Sequence, residues 1–144
     1  MSASPAFSLP IRVYWEDTDA GGVVYHAAYL CFLERARTEW LRTLGVSQQQ
    51  LRERDDVVFA VRGMALEFLA PARLDDALAV EVSIVEVGRA SVSFQQRIVR
   101  PSDERVLLEA RVRVACLMAS TFRPRALPEA LKHEFLKHSI NEVC

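Results

Sequence analysis

The pattern of apolar and polar positions divides the chain into one long helical stretch set among strands. Residues 11–15, Ile-Arg-Val-Tyr-Trp, read as a short strand ended by the acidic, glycine-containing stretch from Glu16 to Gly22. From His26 the period changes. Tyr29, Phe32, Leu33, Ala36, Trp40, Leu41 and Leu44 recur at helical spacing, while Glu34, Arg35, Arg37, Glu39 and Arg42 occupy the other side. This spacing predicts a helix of about 18 residues, closed by Gly45. Residues 46–56 are polar and predict a short helix or a solvated connection.

The next sixty or so positions read as strand. Val57 to Leu69 is nearly continuously apolar, broken by Arg62 and Glu67, and stops at Pro71 and the Asp75-Asp76 turn. Leu78, Val80, Val82 and Ile84 alternate, and Val85 and Val87 then shift phase, which predicts a bulge. A hairpin turn at Gly88-Arg89 leads to a strand from Val92 to Arg100, and a second turn at 101–104 leads to the alternating run from Val106 to Cys116. Pro128 at a first helical position, followed by Leu131 and Phe135, predicts a short C-terminal helix. Short turns between the four later strands favour an antiparallel meander. The whole reads as one α+β domain over residues 1–144, with the long helix lying on a mostly antiparallel sheet. Because residues 57–69 are apolar on both sides, that strand is expected to meet a further surface such as a subunit contact.

Composition narrows the functional classes. The chain has 144 residues, 51% hydrophobic and 26% charged, enough to bury a core without a metal or disulfide. Its 18 basic and 19 acidic residues, with no basic run, leave no electrostatic footprint for nucleic acid. No apolar stretch approaches the roughly 18 residues of a membrane span, and Met1 to Leu9 lacks the pattern of a signal peptide. Cys31, Cys116 and Cys144 lack paired spacing and read as free thiols of a reducing compartment, so the expected location is cytoplasmic. Glycine is scarce at five residues, yet Gly21 and Gly22 are adjacent.

Common catalytic patterns are absent. There is no phosphate-binding glycine loop and no Gly-x-Ser-x-Gly elbow, and His133 and His138 lack the spacing of paired helical ligands, so no metal or cofactor is expected. The segment Glu16-Asp17-Thr18-Asp19-Ala20-Gly21-Gly22-Val23-Val24-Tyr25-His26 joins the first strand to the long helix. Two readings of it stand. It is a solvated turn in which Asp17 or Asp19 bonds local amides, or it is a site. A helix N-terminus offers unpaired N–H groups to an oxyanion, glycines permit close approach, and a nearby carboxylate can serve as nucleophile or general base.

The run from Arg12 to Tyr29, continuing through Glu34-Arg35-Ala36-Arg37-Thr38-Glu39, resembles the 4-hydroxybenzoyl-CoA thioesterase family of hot-dog proteins. Within that family it is most similar to the bacterial acyl-CoA thioesterases associated with the Tol-Pal system. The resemblance extends through Ala70 to Asp76 and Arg123 to Pro128 and so covers nearly the whole chain. It implies a hot-dog fold, a five-stranded antiparallel sheet wrapped around one long central helix. It also implies hydrolysis of acyl-CoA by a homo-oligomer, a dimer of dimers, with sites at subunit interfaces and a location that extends to the inner-membrane surface.

By position the resemblance makes Asp19 the catalytic carboxylate and the His26 main chain the oxyanion donor. The His26 side chain either orients Asp19, contacts substrate or begins the helix; benzoyl-specific members carry an aromatic there. Tyr25, Arg89 and Ser91 are the implied substrate-binding residues, the last two toward the coenzyme A phosphates. Asp17 and Glu16 are expected to shape the loop, and Glu34 to be solvated or ion-paired. Gly21 and Gly22 are expected to leave room for the thioester, so that Gly22→Val would impair turnover more than folding. Acyl carrier protein as the thiol carrier, a hot-dog hydratase or dehydratase using His26 with Asp19, and a non-catalytic acyl-thioester-binding scaffold remain as alternatives.

Overall fold

The computed structural model of the chain describes residues 4–139. Strand β1 (Phe7–Arg12) leads through a single 3-10 turn at Trp15–Asp17 to helix α1 (His26–Thr43) and the short helix α2 (Gln48–Asp55). Strands β2 (Val57–Phe68), β3 (Ala77–Val87), β4 (Ser91–Arg100) and β5 (Arg105–Met118) follow, and helix α3 (Glu129–Lys137) closes the described chain. The strands form one antiparallel sheet in the order β1-β3-β4-β5-β2. It wraps around α1 in the hot-dog arrangement.

The first strand begins earlier than expected. Phe7, Leu9 and Ile11 turn toward the core in strict alternation, and Pro10 between them is tolerated because β1 lies at the sheet edge. Beyond Arg12 the chain leaves the sheet, so Tyr14 and Trp15, expected in the strand, are exposed. Helix α1 has the predicted extent. Gly45 at φ +80° ends it, with its amide donating to the Arg42 carbonyl and the Val46 amide to the Leu41 carbonyl, the two bonds of a Schellman cap. Ser47 caps α2 by accepting from the Gln50 amide. The phase shift at Val85 is a bulge: the β3–β4 register jumps between Ile84 and Glu86. Pro128 stands one position before its predicted place, as the N-cap of α3.

Strand order corrects the expected meander. β3, β4 and β5 do form one, but β2 pairs with β5 at the far edge, and β3 pairs with β1. The chain therefore crosses the sheet between Phe68 and Ala77, passing the N-terminus of α1. The core lies between α1 and the sheet. Phe32, Leu33, Ala36, Trp40 and Leu41 meet buried residues of β3, β4 and β5, among them Val80, Val82, Ile84, Phe94, Ile98, Leu108 and Val112. Phe135 of α3 stacks on Trp40 at 5.7 Å between ring centroids, sealing one end.

One residue of the expected polar face of α1 lies on the inner side. Arg37 is only 8% exposed, and its Nη1 donates to Oε1 of the fully buried Gln96 at 2.9 Å. At the β2 edge, Val61, Met64 and Phe68 are exposed apolar side chains. Of the cysteines, Cys31 is exposed and Cys116 buried, and both are free; Cys144 lies outside the described residues. No described helix is long and apolar enough to cross a membrane.

Candidate active site

The loop before α1 is held by main-chain bonds on both sides. The Asp17 carboxylate accepts from the Tyr14 amide at 2.8 Å and the Asp17 carbonyl from the Tyr25 amide at 2.8 Å. Asp17 thus ties the end of the 3-10 turn to the start of the helix, the loop-shaping part expected of it. The Val24 amide donates to the Ala72 carbonyl at 2.9 Å, and Val23 bridges Arg73, which fastens the loop to the β2–β3 crossing. From the other side, the Ala72 amide donates to the Tyr29 hydroxyl at 3.0 Å. Burial raises the Tyr29 hydroxyl pKa above its ordinary value; the Ala72 amide opposes the shift, while the nearby negative charges of Asp76 and Asp19 add to it.

Asp19 sits at the tip of this frame. Its Oδ1 accepts from the Gly21 amide at 2.8 Å, an Asx turn that aims the carboxylate. Among the described residues Oδ2 takes no donor. Asp19 is exposed and shares an open cleft with Val23, His26, Tyr29, Phe68 and Pro71. Helix α1 begins at His26, one of the residues lining the cleft, with no side chain capping it. The amides of His26 and Ala27 have no acceptor among the described residues. Unpaired amides and the positive end of the helix dipole therefore lie at the residue, His26, that shares the cleft with the carboxylate.

The two glycines have separate jobs. Gly22 adopts φ +80°, and a Cβ built there meets nothing within 4 Å. Its requirement is conformational, so Gly22→Val strains the backbone, and the expectation that it would impair turnover more than folding is corrected. Gly21 is the residue that leaves room, since a Cβ there would lie 3.2 Å from Asp19 Oδ1.

The chain matches the thioesterase-like superfamily over residues 13–135. It belongs to that superfamily. The resemblance carried by Arg12–Tyr29 and Glu34–Glu39 thus holds at the level of the family. The acyl-CoA thioesterase YbgC of Haemophilus influenzae is 49% identical over 129 residues, 90% of this chain and 93% of that protein. The acyl-CoA thioester hydrolase YbgC of Escherichia coli is 50% identical over 129 residues, 90% of this chain and 95% of that protein. Among solved structures, a probable thioesterase from Bartonella henselae superposes with a TM-score of 0.80 at 37% identity, covering 85% of this chain and all of that one.

Within this thioesterase fold the residues singled out from sequence fall into two groups. Asp19 and His26 line one cleft. Tyr25 adjoins them with its ring 4.3 Å from the His26 ring, but it is exposed and lies outside the cleft lining. Arg89 and Ser91 occupy the β3–β4 turn, where the Gly88 amide donates to the Ser91 carbonyl at 2.8 Å. The Asp19 loop is fastened to residues 72 and 73, before the opposite end of β3, so within one chain about 30 Å of strand separates the groups. Glu34 is exposed and accepts from the Thr38 hydroxyl at 3.2 Å.

Sequence reasoning gave no site role to Tyr29 or to Phe68–Pro71, which complete the cleft. Tyr29 reads as one more residue of an apolar stripe. The available signal is Pro71, three positions past the end of β2 and within a segment that already carried the family resemblance.

Proposed function

We propose that this chain is an acyl-CoA thioesterase, hydrolysing the thioester to free acid and coenzyme A. The observation that carries the reading is the pairing, in one cleft, of a carboxylate aimed by its own Asx turn with an uncapped helix N-terminus. The named activities of the YbgC relatives support the same chemistry.

A thioester carbonyl has weak resonance stabilisation and a good leaving group, so a base or nucleophile and an oxyanion donor can suffice. As general base, Asp19 takes a proton from water while the oxygen attacks the carbonyl carbon. The C–O bond forms, negative charge gathers on the carbonyl oxygen against the His26 amide, the C–S bond then breaks, and the proton passes to the thiolate. As nucleophile, Asp19 instead forms a mixed anhydride that water opens. Oxygen-18 found in Asp19 after a single turnover in labelled water marks the anhydride route, opened at the Asp19 carbonyl, because the general-base route puts the label only into the acid.

We further propose a homo-oligomer assembled through the exposed apolar edge of β2, operating in the cytoplasm or at the inner-membrane surface of a cell with a Tol-Pal system. Coenzyme A phosphates would meet Arg89 and Ser91 of another subunit, since the span within one chain is too long for one cleft.

The test is release of free thiol from a panel of acyl-CoA esters by the wild type and by Asp19→Asn. Hydrolysis by the wild type and a loss of about 10²-fold or more in the folded variant is expected. Equal rates would remove Asp19 from the mechanism. Hydration of enoyl-CoA without hydrolysis would move the chain to the hydratase class.

A further inference from the structure

The Asp19 cleft holds a further polar group, for which the hydrolytic scheme has no use as it stands. Tyr29 follows His26 by three positions, one turn along the same face of α1. It is 4% exposed and its ring is fixed on two sides, edge-on to Phe32 at 6.2 Å and tilted against Phe68 at 5.7 Å between centroids. Packing therefore places the hydroxyl.

A phenol both accepts and donates. Here the accepting side is taken, because the Ala72 amide donates to the hydroxyl oxygen at 3.0 Å. The donating side is not: among the described residues no acceptor receives the Tyr29 proton. A buried hydroxyl ordinarily spends its proton in a hydrogen bond. The open volume beside this one is the cleft, whose wall runs through Ala70 and Pro71 up to Ala72. Asp19 has the complementary need, since Oδ1 accepts from the Gly21 amide while Oδ2 takes no donor among the described residues. The two groups make no hydrogen bond to each other, yet the Asp19 charge acts on the Tyr29 hydroxyl and helps to raise its pKa. They are neighbours across a gap wider than a hydrogen bond, and a water can bridge such a gap when both ends are polar.

We propose that Tyr29 is a catalytic residue of the hydrolysis, its hydroxyl holding the attacking water against Asp19 Oδ2. The water accepts from the Tyr29 O–H with one lone pair and donates one proton to Oδ2, which leaves its second lone pair for the carbonyl carbon. As the C–O bond forms, that proton passes to Asp19, and Tyr29 keeps its own. The proposal rests on the hydrolase reading, and on its general-base form.

Thiol release by Tyr29→Phe, and by protein carrying 3-fluorotyrosine at position 29, provides the test, with folding followed by circular dichroism at each pH. On the acyl-CoA ester that the wild type hydrolyses best, Tyr29→Phe should lower kcat by about tenfold or more and leave KM within about twofold. The fluorinated phenol keeps nearly the same size and both hydrogen bonds but is more acidic, so it serves if Tyr29→Phe does not fold. A phenolate has no proton to donate. The alkaline fall in rate should therefore move to lower pH by the difference between the two phenol pKa values. Fluorination leaves unchanged the other charged and titratable groups around the hydroxyl, which are Asp19 and His26 in the cleft and Asp76 with its partner Arg100 beyond Ala72.

A Tyr29 that only ties the loop to Ala72 would leave the alkaline limb in place, and that result overturns the proposal. So does an unchanged kcat in Tyr29→Phe, or oxygen-18 in Asp19 after a single turnover in labelled water. A loss that shrinks for an aryl thioester of the same acid would assign the hydroxyl to the departing sulfur, again overturning it. Each of these leaves the hydrolase reading intact. A wild type that hydrolyses no ester, or an Asp19→Asn variant of equal rate, removes both together.

Discussion

The Asp19 cleft and a second hollow, lined by Arg37 halfway along α1, present positive charge in opposite ways. At the N-terminus the charge comes from the backbone. The first amides have no carbonyl behind them, so the end of the helix is electropositive without any side chain being buried, and the cleft can stay open to water. Halfway along, every amide is already bonded within the helix, so polarity must come from a side chain. Arg37 supplies it at the cost of desolvation, offset in part by the Gln96 carbonyl. Burial accordingly lowers the Arg37 pKa, with Glu34 at the rim opposing the shift. The first arrangement suits charge that develops during a reaction, and the second fixes a permanent charge inside the fold, partly balanced by Gln96 and Glu34.

This contrast predicts where activity and stability should separate. Asp19→Asn should show the largest effect, a loss of about 10²–10⁴ in turnover, with stability within about 0.5 kcal/mol of wild type because the side chain is exposed. Urea unfolding beside the thiol assay checks both halves. At the other hollow the balance reverses. Gln96→Leu should cost about 2–3 kcal/mol, the loss of a buried hydrogen bond to a charged group, and leave kcat close to wild type. A comparable loss of activity would mean that the two hollows work as one.

Within the loop the two glycines should split the same way. Gly22→Ala should destabilise by about 1–2 kcal/mol through its left-handed backbone. Gly21→Ala should mainly reduce turnover, because the new methyl presses on Asp19 Oδ1. Paired melting and rate measurements distinguish them.

The smallest expected effect is a slope. The Tyr29 hydroxyl pKa is raised in the folded protein above its ordinary value of 10.0. The folded state therefore holds this proton where the unfolded state releases it, and the associated stability is full below pH 10 and declines as pH rises through the folded pKa. Tyr29→Phe should flatten that alkaline decline, at a cost near neutrality of about 1 kcal/mol from the orphaned Ala72 amide. Unchanged alkaline unfolding profiles would detach Tyr29 from the frame of the loop.

Much of this molecule is legible locally. The ends of α1, the bulge at Val85 and the Asp19–His26 segment each follow from spacing, because periodicity and turn chemistry act between residues a few positions apart. Phe7–Arg12 was less legible, since Pro10 reads as an interruption until the strand is known to lie at an edge. Arg37 is the sharper case. Beside Ala36 and three residues before Trp40, it lies at the border of the apolar stripe, and only Gln96, fifty-nine positions later, decides that it turns inward.

The sequence by itself determined the helix, the strands and the chemistry gathered at their first junction, since those depend on backbone preference and on neighbours along the chain. Only the tertiary structure decided that β2 crosses to β5, that Phe68 and Pro71 close the cleft around Asp19, and that Arg37 faces a cavity. These depend on which surfaces meet once the sheet has wrapped the helix. Burial is a property of that meeting, and no local pattern carries it.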